Sequence, residues 1–173
     1  YWTDIGNIDS FFEANIGLTD DLPQFNLFDD NNKIYTRPRL LSPSKFHKTM
    51  VEKSVISEGC IIRAKEITKS VIGNRSRIGE DTVIKNTYVM GNDFYQSIEN
   101  IKQDIENDIP VIGIGERCFI DNAIVDKNCR IGNDVSIKGG KHLEDTNNDL
   151  YCVKEGIIVI RKGAVVPDNF TIE

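Results

Sequence analysis

Histidine is nearly absent from this 173-residue chain: only His47 and His142 occur, and neither has a nucleophile beside it in the sequence. A catalytic imidazole is therefore poorly supported, and each His reads first as a structural or surface residue. The four cysteines, Cys60, Cys118, Cys129 and Cys152, are far apart and form no C-x-x-C pair. That excludes a disulfide scaffold and a zinc spacing, and it fits reduced thiols in a cytosol-like compartment. No apolar run reaches the roughly 18 residues that span a bilayer, and no segment of the sequence reads as a signal peptide. A net charge of −6 argues against general nucleic-acid binding. A glycine-rich phosphate loop is also lacking; Gly113-Ile114-Gly115 reads as a corner between short strands.

What is present is periodic. Ile72, Ile78, Ile84 and Met90 recur every six residues, as do Val125, Ile131, Ile137 and then Ile160, Val166, Ile172. Shorter runs join Ile56 to Ile62 and Ile114 to Ile120. Four residues after these aliphatics stand Ser76, Thr82, Tyr88, Cys129, Val135, Ala164 and Phe170. A period of six is neither helical nor a plain alternation. It predicts an all-β chain: a left-handed parallel β-helix of hexapeptide repeats, each repeat giving one short strand and one corner. The aliphatic residue points into a narrow prism, the position four later is slim, and Gly or Asn near the corner adopts the turn. A sandwich of short strands is the competing architecture.

Before and within the repeats the pattern differs. Asn7 caps an N-terminal helix with Ile8, Phe11, Phe12 and Ile16 on one face and Gly17 near its end. Residues 20–50, with Pro23, Pro38, Pro43 and the Asp29-Asp30-Asn31-Asn32 stretch, read as a connector. Residues 51–173 carry the β-helix, interrupted near 93–110 by a short helix with Ile98, Ile101 and Ile105 on one face, and near 139–156 by a polar loop.

Three basic groups remain: Arg37 and Arg39 around Pro38, Lys127 and Arg130 on a corner, and Arg161-Lys162 in the last repeat. Brought together, such cations would form an anion pocket, Arg by bidentate contacts and Lys as a point charge. Separately, each is an ordinary solvated charge. Asp4 is either a helix-entry residue or a metal ligand.

These segments together resemble a known family. Tyr1-Trp2-Thr3-Asp4-Ile5-Gly6, Ile34-Tyr35-Thr36-Arg37-Pro38-Arg39, Ser70 to Ile78, Ala123 to Gly132 and Gly156 to Pro167 are similar to the C-terminal part of ADP-glucose pyrophosphorylase, also called glucose-1-phosphate adenylyltransferase. The resemblance implies that residues 1–19 end a nucleotidyltransferase domain that makes ADP-glucose and pyrophosphate from ATP and glucose 1-phosphate with Mg2+. It implies that the β-helix regulates that domain and helps build a homo-oligomer, in a bacterial cytoplasm or a plastid stroma. Asp4 matches the family's metal-ligand position; Asn7 stands where Thr is usual. Lys127 and Lys162 match effector-site lysines, with Arg39, Arg37 and Arg130 near the same anion site; Gln is common where Arg37 stands. The chain begins without Met, two residues before Thr3-Asp4. It is therefore expected to be a fragment, inactive and without a cofactor on its own, whose partner is the missing catalytic domain. No nucleic acid or membrane partner is implied. Two rival readings are a purely structural assembly module and a hexapeptide acyltransferase using His142.

Overall fold

A computed structural model describes residues 2–173. Its body is a stack of coils, each turning through three short parallel strands. The first face carries Lys45–Phe46, Ile61–Ile62, Arg77–Ile78, Gly113–Ile114, Arg130–Ile131 and Val165–Val166. The second runs from Met50–Glu52 through Glu66–Thr68 and the first halves of Val83–Val89 and Phe119–Val125 to Ser136–Lys138 and Thr171–Ile172. The third stacks Val55–Ile56, Val71–Ile72, the second halves of the two long strands, and Ile157–Ile160.

Side-chain ladders explain why these residues make these strands. One ladder is Phe46, Ile62, Ile78, Ile114, Ile131, Val166. Another is Val51, Ile67, Ile84, Ile120, Ile137, Ile172, and the third is Ile56, Ile72, Val89, Val125, Ile160. Away from the ends nearly all are fully buried. Burying each contributes about 1.5–3 kcal/mol, while the backbone ladder satisfies the strand N–H and C=O groups. Phe46 and Val51 stay exposed because no described coil covers the first one.

The ladders correct the strict period of six. Steps such as Ile78 to Ile84 and Ile72 to Ile78 hold it, but Ile67 to Ile72, Ile84 to Val89 and Ile120 to Val125 take five residues. Val89, not Met90, is therefore the inward residue. Tyr88 faces out rather than filling a slim inward position, whereas Ser76, Thr82, Cys129 and Val135 are buried as expected. The glycines also serve differently from the expectation. Corner residues with positive φ are mostly not glycine: Arg75, Asp81, Arg117, Asn128 and Asp134 lie at 55–61°. Gly115 and Gly132 instead permit close stacking, since a Cβ would fall 2.3 Å from the Gly132 carbonyl oxygen and 2.7 Å from the Asp168 nitrogen respectively.

Three segments stand outside the prism. Helix α1, Ile8–Ile16, is capped by Asn7, whose side chain accepts a hydrogen bond from Ser10 N at 2.7 Å. Phe12 and Ile16 bury against Ile124 and Ile157 on the outside of the third face, and Phe11 meets Tyr88 with ring centroids 5.8 Å apart. Helix α2, Ile98–Glu106, lies in the first interruption, capped by Ser97. Its apolar stripe is not buried: Ile98 and Ile105 are exposed. The second interruption is more ordered than a loop. Thr146–Asn147 and Tyr151–Lys154 pair antiparallel, and the latter continues onto Ile157–Ile160. The coils begin at Lys45, inside the segment read as connector. No helix among the described residues is long and apolar enough to cross a membrane.

Candidate functional site

Coil geometry places Lys127 and Lys162 together. Lys162 follows Lys127 by the interval that carries Val125 to its ladder partner Ile160. Both therefore occupy the same corner of successive coils, joined by a hydrogen bond from Gly163 N to the Lys127 carbonyl at 2.9 Å. Adjacent strands in a sheet are about 4.8 Å apart, so the two lysines leave neighbouring coils at one strand spacing. Their common neighbour is Asp93, at the foot of the first interruption. Lys127 Nζ donates to Asp93 Oδ1 at 2.8 Å, and Lys162 Nζ lies 4.0 Å from Asp93 Oδ2. Asn128 steadies the carboxylate: its Nδ2 donates to Oδ2 at 3.0 Å and its Oδ1 accepts from Asp93 N at 2.8 Å. Hydrogen bonds from Lys127 and Asn128, helped by the charges of both lysines, hold the Asp93 carboxyl below the usual carboxylate range. Lys162 keeps 63% of its side chain in solvent against 38% for Lys127, so it is the looser of the two cations.

The other predicted cations go elsewhere. Arg130, three residues after Lys127, turns to the first interruption: its Nη1 donates to Asp104 Oδ2 and to the Pro110 carbonyl, both at 2.6 Å. Arg161 is taken by the hairpin, donating through Nε to the Asn148 carbonyl at 2.6 Å and through Nη2 to Asn147 Oδ1. Arg37 and Arg39 are exposed in the extended segment before the coils and make no ion pair or hydrogen bond among the described residues. Asp4 is exposed, and its Oδ1 accepts from Gly6 N at 3.0 Å. No group of three or more His, Cys, Asp or Glu side chains that could hold a metal gathers among the described residues. Asp4 thus stands at the predicted metal-ligand position with no cluster of such side chains around it among the described residues. His142 is exposed in the loop before the hairpin, off the coils.

The thiols are structural. Cys60, Cys118 and Cys129 are buried. Cys129 Sγ donates to the Asp126 and Arg161 carbonyls at 3.0 and 3.1 Å, beneath the lysine corner, and burial pushes its thiol up to about 12.

Asp93 and Asn128 were not singled out in the sequence. The available signal was the corner stack itself: Asn92 N bonds the Asn74 carbonyl and Asn128 N the Gly91 carbonyl. That aligns residues 74, 91, 127 and 162 in one column and puts Asp93 next to the lysines.

A three-faced stack of hexapeptide coils with cations on one corner defines a hexapeptide-repeat β-helix domain. Residues 39–171 match the model of the GLGC left-handed parallel beta-helix domain. The chain belongs to that family, the C-terminal part of glucose-1-phosphate adenylyltransferase, and its coils are left-handed.

Proposed function

We propose that this chain is the regulatory and oligomerisation part of a glucose-1-phosphate adenylyltransferase, with Lys127 and Lys162 forming an anion site for a phosphorylated effector. The observation that carries the reading is the stacking of these two lysines on one corner. An ammonium pair this close attracts a multivalent anion, and phosphoryl oxygens take lysine donors as charge-assisted acceptors. In this proposal a catalytic domain supplies ATP and glucose 1-phosphate binding and most of the Mg2+ ligands, Asp4 contributing one. Helix α1 and residues 2–19 belong to that domain's end. They lie against the third face through Phe12 and Ile16, a contact through which effector binding would bias the catalytic domain. Arg39 and Arg37 would complete the pocket when the extended segment closes on it. The chain alone carries no adenylyltransferase activity and needs no cofactor, while the whole enzyme works as a homo-oligomer in the cytoplasm.

Titrating inorganic phosphate against the chain tests the site: Lys127→Ala and Lys162→Ala should each weaken binding several-fold. Equal affinity in both variants and the parent chain would return the domain to a purely structural role. Turnover of ATP and glucose 1-phosphate by the chain alone would overturn the division of labour.

A further inference from the structure

We propose that Asp93 is a built-in competitor of the anion: its carboxylate stands where a phosphoryl group would bind, and the ligand must displace it to engage Lys127 and Lys162. This rests on the reading of the lysine pair as an anion site. The geometry is that of an occupied site. One carboxylate oxygen faces each lysine, Oδ1 at 2.8 Å from Lys127 and Oδ2 at 4.0 Å from Lys162. Two oxygens of one group bridging two ammonium groups is the arrangement a phosphoryl group would adopt.

The competitor is held just firmly enough to leave. Lys127 and Asp93 both keep about two-fifths of their side chains in solvent, so their pairing is worth little. No coil ladder includes Asp93; among the described residues its side chain pairs only with Lys127, Asn128 and Lys162. Swinging it out therefore breaks no strand pairing. A dianion bound beside a retained Asp93 would meet like charge, so the two states exclude one another. The same movement frees the first residue of the 93–110 insertion, while Arg130 keeps the far end fixed through Asp104 and the Pro110 carbonyl. Ligand occupancy thus becomes a local release at one end of the insertion.

The test titrates inorganic phosphate against the full chain and its Asp93→Asn, Lys127→Gln and Asp93→Asn/Lys127→Gln variants. Asparagine keeps the shape and the backbone bond to Asn128 while removing the charge. Asp93→Asn should bind phosphate about 2- to 5-fold more tightly, the range that a weak surface pair commands, and Lys127→Gln should bind less tightly. In the double variant the gain from Asp93→Asn should largely vanish. Binding seen only once Asp93 is replaced would support the proposal as well. Unchanged or weaker binding by Asp93→Asn, with Lys127→Gln still impaired, would overturn the competitor and leave the anion site standing. Phosphate affinity indifferent to Lys127, or absent in every variant, would overturn both. A second readout needs no variant: saturating phosphate should speed amide exchange at Asp93, whose N–H bonds Asn128, and leave residues 104–110 unchanged. Unaltered exchange at Asp93 in the phosphate-bound chain would count against displacement.

Discussion

Arg130 and Lys127 lie only three residues apart, Lys127 on the corner and Arg130 at the start of the next strand, yet they hold opposite ends of the same insertion. Arg130 and Asp104 are mostly buried at their contact, with side chains 22% and 17% exposed. Removing the guanidinium by Arg130→Gln should raise amide exchange across α2 and residues 107–110, whereas Lys127→Ala should leave that region protected. The cysteines make a second residue-scale prediction. Thiolate is the reactive form, and burial disfavours it at Cys60, Cys118 and Cys129. A thiol reagent under native conditions should label Cys152, which is partly exposed, well before the other three. Which cations would meet was only half legible in the sequence. Lys127 and Lys162 each stand two residues after a repeat aliphatic, Val125 and Ile160, but the hairpin between them breaks the period, and only the pairing of those two strands stacks the lysines. Arg130 differs because its direction depends on Asp104, which arrives from an insertion that the period does not cover.

At the scale of the element, the strands were more legible than their steps. Aliphatic recurrence marked the ladder positions, but Val89 and Met90 are both apolar, and only pairing to Val125 distinguishes them. Ile84→Ala should cost about 2–5 kcal/mol, the usual price of emptying a packed core position, while Met90→Ala should cost under about 1 kcal/mol. Chemical denaturation of both variants checks the register. Helix α2 teaches the complementary lesson. Its Ile98, Ile101 and Ile105 stripe shows which residues share a face, not what covers them, and in this chain Ile98 and Ile105 remain in solvent. For α1 the same kind of stripe does find cover, because Tyr88, Ile124, Ile157 and Val159 offer an apolar outer wall. Phe12→Ala should release α1 while the coils stay intact, seen as fast exchange confined to residues 8–19.

Across the whole molecule, charge pairs tie neighbouring coils and insertions together. Lys85 lowers the Glu66 carboxyl, Arg117 lowers Asp134, Lys154 lowers Asp145 and Lys138 lowers Glu173, each chiefly by hydrogen bonding. A carboxyl lowered by folding adds stability that is present above its unfolded value, 3.8 for Asp and 4.5 for Glu, and lost as pH falls through the folded value. Asp121 has the opposite sign: burial raises its carboxyl, so its contribution is present below 3.8 and lost as pH rises through the folded value. The melting temperature should therefore hold from neutrality to about pH 5 and fall below about pH 4. Asp121→Asn should raise it at pH 7 and leave it near the parent's at pH 3.

The hairpin between Ser136–Lys138 and Ile157–Ile160 leaves the stack at a corner and returns to the next strand of the same prism. Distance along the chain and distance in space are thereby uncoupled at Lys127 and Lys162. With residues added to or lost from the hairpin tip over evolutionary time, the numbering gap between the lysines would drift while their coil positions stayed one strand apart. An alignment of relatives by fixed spacing would then miss the pair, and one by ladder position would recover it.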